Sequence, residues 1–451
     1  MNEENDPMQK EKQKDTRKET LHILLQSSYK VKASMFVMGA GQILYKQVIK
    51  GLLYLAALVV FIAYMVTSGV QDVIGFFTLG TVEGDAWLGI AGDDSVIMLL
   101  RGILAFIAII VIILVYISNI HDVLEIEKKD KKGIKCPGFF QAVPIYIDKK
   151  YHKVALSVPV LGVAIFNVLP IAFMILIAFT NYGGDIVPPK LVDWVGFANF
   201  KKILALGDLK DTFINILKWN VIWAILATAF NYFGGLGLAL LLNKKCVKGK
   251  TFWRAFPILA YALPGFITLL AFKFMFSYGG PINYYITLGG GKAIGFLDID
   301  AGIKAKIIGL LVNTWISVPS SMLLATGILS NMNTELYEAA SIDGASRWKQ
   351  FIKITLPFVI FSTTPVIITS FVGNFNNFGI FYFLRGGLYC DGYFLASDTD
   401  LLINWLYNLS IDNTYYGIGA AISLIIFIIT SVVSLSVYVR SSAFRKEDTF
   451  R

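Results

Sequence analysis

Long uncharged runs, separated by short polar segments, set the pattern of this chain. Stretches of roughly 17–25 apolar residues are the length a helix needs to cross a hydrocarbon core. The sequence holds eight of them, at 51–67, 97–118, 154–180, 219–243, 255–277, 307–330, 358–384 and 415–439. Lipid offers no partner to an unpaired backbone N–H or C=O, so each stretch must be a helix. The expected fold class is therefore all-α, a polytopic membrane protein with eight transmembrane helices. Composition agrees: 56% of residues are hydrophobic and 16% charged, against about 25% charged in soluble domains.

The net charge of +9 would suit a nucleic-acid partner, but its distribution excludes one. Lys and Arg lie in short loops and at the termini beside apolar runs, as membrane proteins place them. The segments before the first span, after the second, fourth and sixth, and beyond the eighth carry 29 of them, against 9 in the alternate loops. Both termini are thus expected in the cytoplasm. The 68–96 loop, with Asp72, Glu83, Asp85, Asp93, Asp94 and no basic residue, reads as external.

The chain divides by composition. Residues 1–50 form a polar cytoplasmic N-terminus, with no cleavable signal pattern, and an interfacial segment, Met38 to Gly51. Residues 51–153 hold two added helices and a polar loop, and 154–445 a six-helix core. Cys136, Cys246 and Cys390 are scattered, and His22, His121 and His152 lack ligand-spaced partners, so neither a disulfide framework nor a metal site is expected. Gly289-Gly290-Gly291-Lys292 lacks the outer glycine and the Ser/Thr of a phosphate-binding loop. No catalytic residue, bound cofactor or ATPase site is expected in this chain.

Charge inside the spans is scarce, and its scarcity is informative. No Asp or Glu occurs within the eight stretches. A proton-coupled carrier needs a buried titratable group, which disfavours a secondary sugar carrier, the leading alternative of another class. Arg101 and Lys218 sit near span ends, where snorkelling explains them; Lys273 lies deeper and has no assigned role. A membrane glycosyltransferase would want acidic metal ligands. Asp398 and Asp400 have the spacing, but on the external side.

Uncharged polar residues point further. Asn374, Asn376 and Asn377 interrupt the seventh span, and Asn374 and Asn377, three apart, share a helix face. Amides in hydrocarbon must find partners. With Phe375 and Phe378 beside them, they suit a carbohydrate, which offers hydroxyls to amides and C–H faces to rings. Between the sixth and seventh spans lies NMNTELYEAASIDGASRWKQFIKITLP, residues 331–357. It predicts a short helix carrying Glu338, a turn at Gly344 and an amphipathic stretch from Arg347 to Ile354, closed by Pro357. A helix–turn–helix on the inner surface is suited to docking into a partner's groove.

This segment resembles the EAA motif of binding-protein-dependent ABC importer permeases: Glu338-Ala339-Ala340, then Asp343-Gly344, then Ile354-Thr355-Leu356-Pro357. The likeness covers roughly 154–445 and is closest to the larger, MalF-type permease of maltose and maltodextrin importers. It is carried also by Phe179-Thr180-Asn181-Tyr182, Tyr261-Ala262-Leu263-Pro264, Asn313-Thr314-Trp315, Asn374 to Phe378 and Asp400 to Asn404. It implies a type I permease core in the bacterial cytoplasmic membrane. The implied partners are a second homologous permease, two cytoplasmic ATPases that use the ATP, and an external sugar-binding protein. It further implies coupling to the ATPases through Glu338, Ala339, Ala340, Asp343 and Gly344. The sugar site it implies comprises Tyr261, Asn313, Ile316, Asn374 and Asn377, with Ser317, Ser320 and Gly373 at neighbouring lining positions. The enterobacterial pattern has glycine, tyrosine and phenylalanine at those last three, and serine at Gly265, so the cavity here should be wider and less aromatic. Another oligosaccharide is the alternative substrate.

Overall fold

The computed structural model describes residues 27–440 apart from positions 86, 135, 138–139, 141–143, 145–146, 149–150, 206 and 245. The polar N-terminus to residue 26, including His22, and the tail from residue 441 lie outside the described residues. Among the described residues every regular element is a helix, and Asp85 and Ile90 form an isolated bridge. Among the described residues seven helices are long and apolar enough to cross a bilayer, and a bent pair adds an eighth where it is taken as one span.

In chain order, α1 is Tyr29–Phe36, α2 Ala40–Leu44, α3 Val48–Thr78, α4 Ser95–Lys131 and α5 Tyr151–Ile177. There follow α6 Ala198–Ala205, α7 Gly207–Asn243, α8 Lys250–Ala262, α9 Gly265–Met275, α10 Pro281–Leu288, α11 Gly302–Ser330 and α12 Glu335–Ile342. Last come α13, residues 347–375, α14 Phe378–Arg385, α15 Leu402–Tyr407 and α16 Tyr416–Arg440. Seven of the eight predicted crossings are found as long apolar helices, and the fifth corresponds to the bent pair. Several helices run past the predicted ends, because a helix continues into the headgroup region wherever its polar residues can still be solvated. Asp122, in the extension of α4, is ion-paired with Lys50.

The fifth crossing departs from the single straight helix expected: α8 and α9 meet at 91°. Pro264 has no N–H and pushes its predecessor out of the helical region; Leu263 is extended, with φ −74° and ψ 140°. Lys273, expected well inside a span, falls in the last turn of α9, beside the negative end of the helix dipole.

The chain divides into two compact units, Met1–Leu176 with Ile186–Trp194, and Ile177–Asp185 with Val195–Arg451. In the first, segment 38–51 is packed inward: Met38 and Gln42 are buried. Asn119 on α4 explains why. Its Oδ1 accepts from Gly39 N at 3.0 Å and Ser34 Oγ at 3.2 Å, and its carbonyl accepts from Gln42 Nε2 at 3.1 Å. Gly39, at φ +87°, lies so close to the Gly51 backbone that any Cβ would collide with it.

In the second unit α7 is the central helix. Its interior stripe reads Asn220, Trp223, Ala227, Thr228, Asn231, Gly235 and Ala239, a spacing of three and four that lays one face against its neighbours. Around Trp223 gather Leu269, Val312, Phe381 and Leu401, with the Trp223 and Phe381 rings 4.9 Å apart and edge-on. About three turns further along, Gly235 admits α11 so closely that a Cβ would strike Ser321 and the Met322 backbone.

Candidate functional site

The seventh crossing is broken where the asparagines stand. Helix α13 ends at Phe375, Asn376 caps it, and α14 begins at Phe378. Asn374 and Asn377 therefore meet across a helix break, a correction to the continuous helix face expected from their spacing. A break inside a membrane frees backbone carbonyls that must be paired. Trp223 Nε1 donates to Asn374 O at 3.1 Å, Asn220 Nδ2 to Phe375 O at 3.0 Å, and Asn404 Nδ2 to Phe378 O at 2.8 Å. The same Asn220 accepts Leu402 N at 2.7 Å. Three buried side chains from α7 and α15 thus hold the break open.

The freed side chains form a relay. Asn377 Nδ2 donates to Asn313 Oδ1 at 3.1 Å, Asn313 Nδ2 to Asn374 Oδ1 at 3.3 Å, and Asn374 Nδ2 to Thr228 Oγ1 at 3.1 Å. Beside it opens a cavity of about 260 Å³ lined by Asn313, Ser317, Ser320, Gly373, Asn374 and Asn377, together with Thr228, Asn231, Tyr232, Ser321 and Ser370 among others. A Cβ at Gly373 would meet nothing within 4 Å, so the space that a larger side chain would fill there is free.

Six of the eight predicted sugar-site residues thus line one cavity, and two do not. Tyr261 is 54% exposed at the end of α8, turned aside by the break at Leu263–Pro264, and Ile316 packs against the Trp223 cluster. The aromatic neighbours also lie elsewhere. Phe375 is buried in the core, and Phe378 stacks on Tyr382 with centroids 4.5 Å apart. Tyr232 supplies the cavity's ring. Thr228, Asn231 and Tyr232 were not expected from the sequence, although the stripe of Asn220, Thr228 and Asn231 on one face of the fourth crossing was a usable signal.

The loop from Arg385 to Leu401 buttresses the cavity from behind α14. Buried Arg385 pairs with Asp398 at 2.9 Å and donates to the carbonyls of Leu297, Asp298 and Ile299. Burial pushes the Asp400 carboxyl up to about 7, although it accepts from Ser397 N at 2.9 Å and Asn408 Nδ2 at 3.1 Å. These acids are structural partners, and no metal-binding cluster occurs among the described residues.

The 331–357 segment has the opposite character. Helix α12 carries Glu338, Ala339 and Ala340, and Asp343 caps its end. Gly344 follows at φ +73°, the left-handed turn that closes a helix, with Ala345 N bonded back to Ala340 O at 2.9 Å. Ser346 then caps the start of α13, its Oγ accepting Lys349 N. Gln350 ties the two arms together by donating to Ser341 Oγ at 2.9 Å and Ala345 O at 3.2 Å. The outer surface is bare: Glu338, Asp343 and Gly344 are exposed, as are Ile342 at 87% and Trp348 at 69%.

Membrane-crossing helices, three of which enclose a polar cavity, together with an exposed helix–turn–helix, suit a solute permease. A family model for the binding-protein-dependent transport system inner membrane component matches residues 233–446. The chain is 33% identical over 437 residues to the maltodextrin transport system permease protein MdxF of Bacillus subtilis, covering 95% of this chain and 99% of the relative. It is also 33% identical to the galactooligosaccharides transport system permease protein GanP of the same organism, covering 91% and 96%. The protein belongs to this family of permeases, multi-pass proteins of the bacterial cytoplasmic membrane. A bacterial ABC transporter that imports the acidic polysaccharide alginate shares the fold, with a TM-score of 0.55 at 21% identity over 66% of this chain and 98% of that one.

Proposed function

We propose that this chain is the membrane-spanning subunit of an ATP-driven importer of malto-oligosaccharides. It forms the translocation path with a second permease, takes sugar from an external binding protein, and is driven by two ATPases at the cytoplasmic face. The observation that carries this reading is the cavity itself, an uncharged pocket lined by amides and hydroxyls, the chemistry that recognises sugar hydroxyls. The likeness to a maltodextrin permease over nearly the whole chain supports the substrate class. Helix α12 acts as the coupling element: ATPase closure pulls on Glu338 to Gly344, and α13, continuous with that segment, carries the movement towards Asn374. ATP can drive uptake only if the cavity's affinity for sugar differs between the two conformations. The chain holds no ATP site of its own in this reading.

The comparable likeness to a galactooligosaccharide permease favours one alternative, a galactooligosaccharide as cargo. Uptake of radiolabelled maltotriose and of a labelled galactotriose by cells with and without this gene separates the two. Loss of maltotriose uptake alone is the expected result. Co-purification of the detergent-solubilised chain with a second permease and an ATPase checks the assembly, and recovery of the chain by itself would overturn it.

A further inference from the structure

The cavity's polar groups are unequally engaged. Asn313, Asn374, Asn377 and Thr228 bond to one another, and Ser320 Oγ donates to Ser317 O at 2.8 Å. Among the buried polar residues of the lining, Asn231 is the exception. It is 6% exposed, it lines the same cavity, and its Oδ1 is fully enclosed with no hydrogen-bond partner. Leaving a buried amide unpaired costs a helix-packed protein far more than replacing it by an apolar residue of the same size would. The position is otherwise well ordered: Asn231 stands one turn beyond Thr228 on the inward stripe of α7. The close approach of Gly235 to Ser321 shuts the helix pair together a turn later.

We infer that Asn231 is a sugar-binding residue of this permease, accepting a hydroxyl of the cargo in the layer next to the asparagine relay. The inference rests on the functional reading above. Asn231 adds to the site a contact from the fourth crossing, α7. A substrate held at Asn313, Asn374 and Asn377 reaches Asn231 by extending about 5 Å along the helix axis, one turn. The relay residues can bind sugar only with the hydrogen-bonding capacity their mutual bonds leave over, whereas the Asn231 carbonyl, enclosed here and reached once the cavity wall parts to admit the cargo, offers all of its capacity. It is therefore a specificity-determining position, which favours a cargo with a hydroxyl donor at that depth.

The test uses the complete transporter in proteoliposomes, with its binding protein, and the variant Asn231→Leu, which keeps the size and removes the polar group. Uptake of labelled maltotriose and the thermal midpoint of the purified complex are measured together. The inference expects uptake to fall at least about tenfold with the midpoint unchanged or raised, and Asn231→Ser, which restores an acceptor, to recover part of the uptake. A packing role predicts that uptake and midpoint fall together, and that result would overturn the assignment. So would wild-type uptake in the leucine variant, which would leave the amide to water. Failure of the unsubstituted transporter to take up maltotriose would instead strike the functional reading, and this inference with it.

Discussion

The cavity and the 331–357 segment lie in the same compact unit, yet they are stabilised in opposite ways. In the cavity wall nearly every amide finds its partner within the chain: Asn220, Trp223 and Asn404 hold the backbone of the helix break, and the asparagines hold one another. In the segment the polar bonds serve only to shape the turn, while Ile342 and Trp348 stand in the open. Asn231 apart, the first region is complete as it folds. The second has a finished shape and an unfinished surface, which is the condition of a part that works against another protein.

That contrast predicts where a substitution harms transport without harming the fold. The largest effect is expected at Gly344. A Cβ there would meet nothing within 4 Å, so the fold has room for one. The positive φ would cost about 1–2 kcal/mol in an exposed turn. Gly344→Val should therefore leave the thermal midpoint within a few degrees while sugar uptake falls by at least about tenfold, through lost docking. Uptake and sugar-stimulated ATPase at wild-type levels in this variant would refute the coupling role of the segment.

Gly373 tests the other side. Its missing side chain leaves open space in a cavity of about 260 Å³, so Gly373→Phe should fold and shorten the slot. Uptake of maltotetraose should drop by about tenfold, with less change for maltose, in a competition assay with both labels. An equal loss for both lengths would mean that the ring blocks passage rather than trimming the site. A smaller effect on transport and a larger one on stability are expected at Asn220→Ala. That change strips a partner from both Phe375 O and Leu402 N, two buried backbone groups, at a cost of roughly 2–4 kcal/mol. A thermal midpoint equal to wild type would show that the break is held by other means.

The sequence made some of this visible and hid the rest, for physical reasons. Eight crossings could be counted because lipid forbids charge over a fixed length, and the Glu338 to Gly344 motif could be found because its turn chemistry is local. The bend at Pro264 was written in the sequence, but a proline inside an apolar run also occurs in straight crossings such as α11, which contains Pro319. The position of Tyr261 depended on which of these applied. The break at Asn376–Asn377 was not legible, since it exists only because Asn220, Trp223 and Asn404 arrive from other helices to pair the carbonyls it frees. Asn231 was half legible: with Asn220 and Thr228 it marks one face of the fourth crossing, but what that face meets is set only once the neighbouring helices are in place.

The loop behind the cavity offers the finest test of how completely this unit satisfies its own polar groups, because Asp400 is the point where it barely does. Its carboxyl is pushed up to about 7 from an ordinary 3.8, burial outweighing the bonds from Ser397 and Asn408 and the nearby Arg385 charge. Between those two values the folded protein holds a proton that the unfolded chain has released. Stability from this group is therefore present at low pH and is lost progressively as pH rises towards 7, at most about 1.4 kcal/mol per pH unit. Asp400→Asn keeps an acceptor for Ser397 N and removes the titration. The thermal midpoint of the purified complex should then fall less between pH 5 and 8, by our estimate a few degrees, in the asparagine variant than in the wild type, with the two curves converging at the acid end. Parallel curves across the range would show that Asp400 stays ionised in the fold, its charge paired in full within the loop.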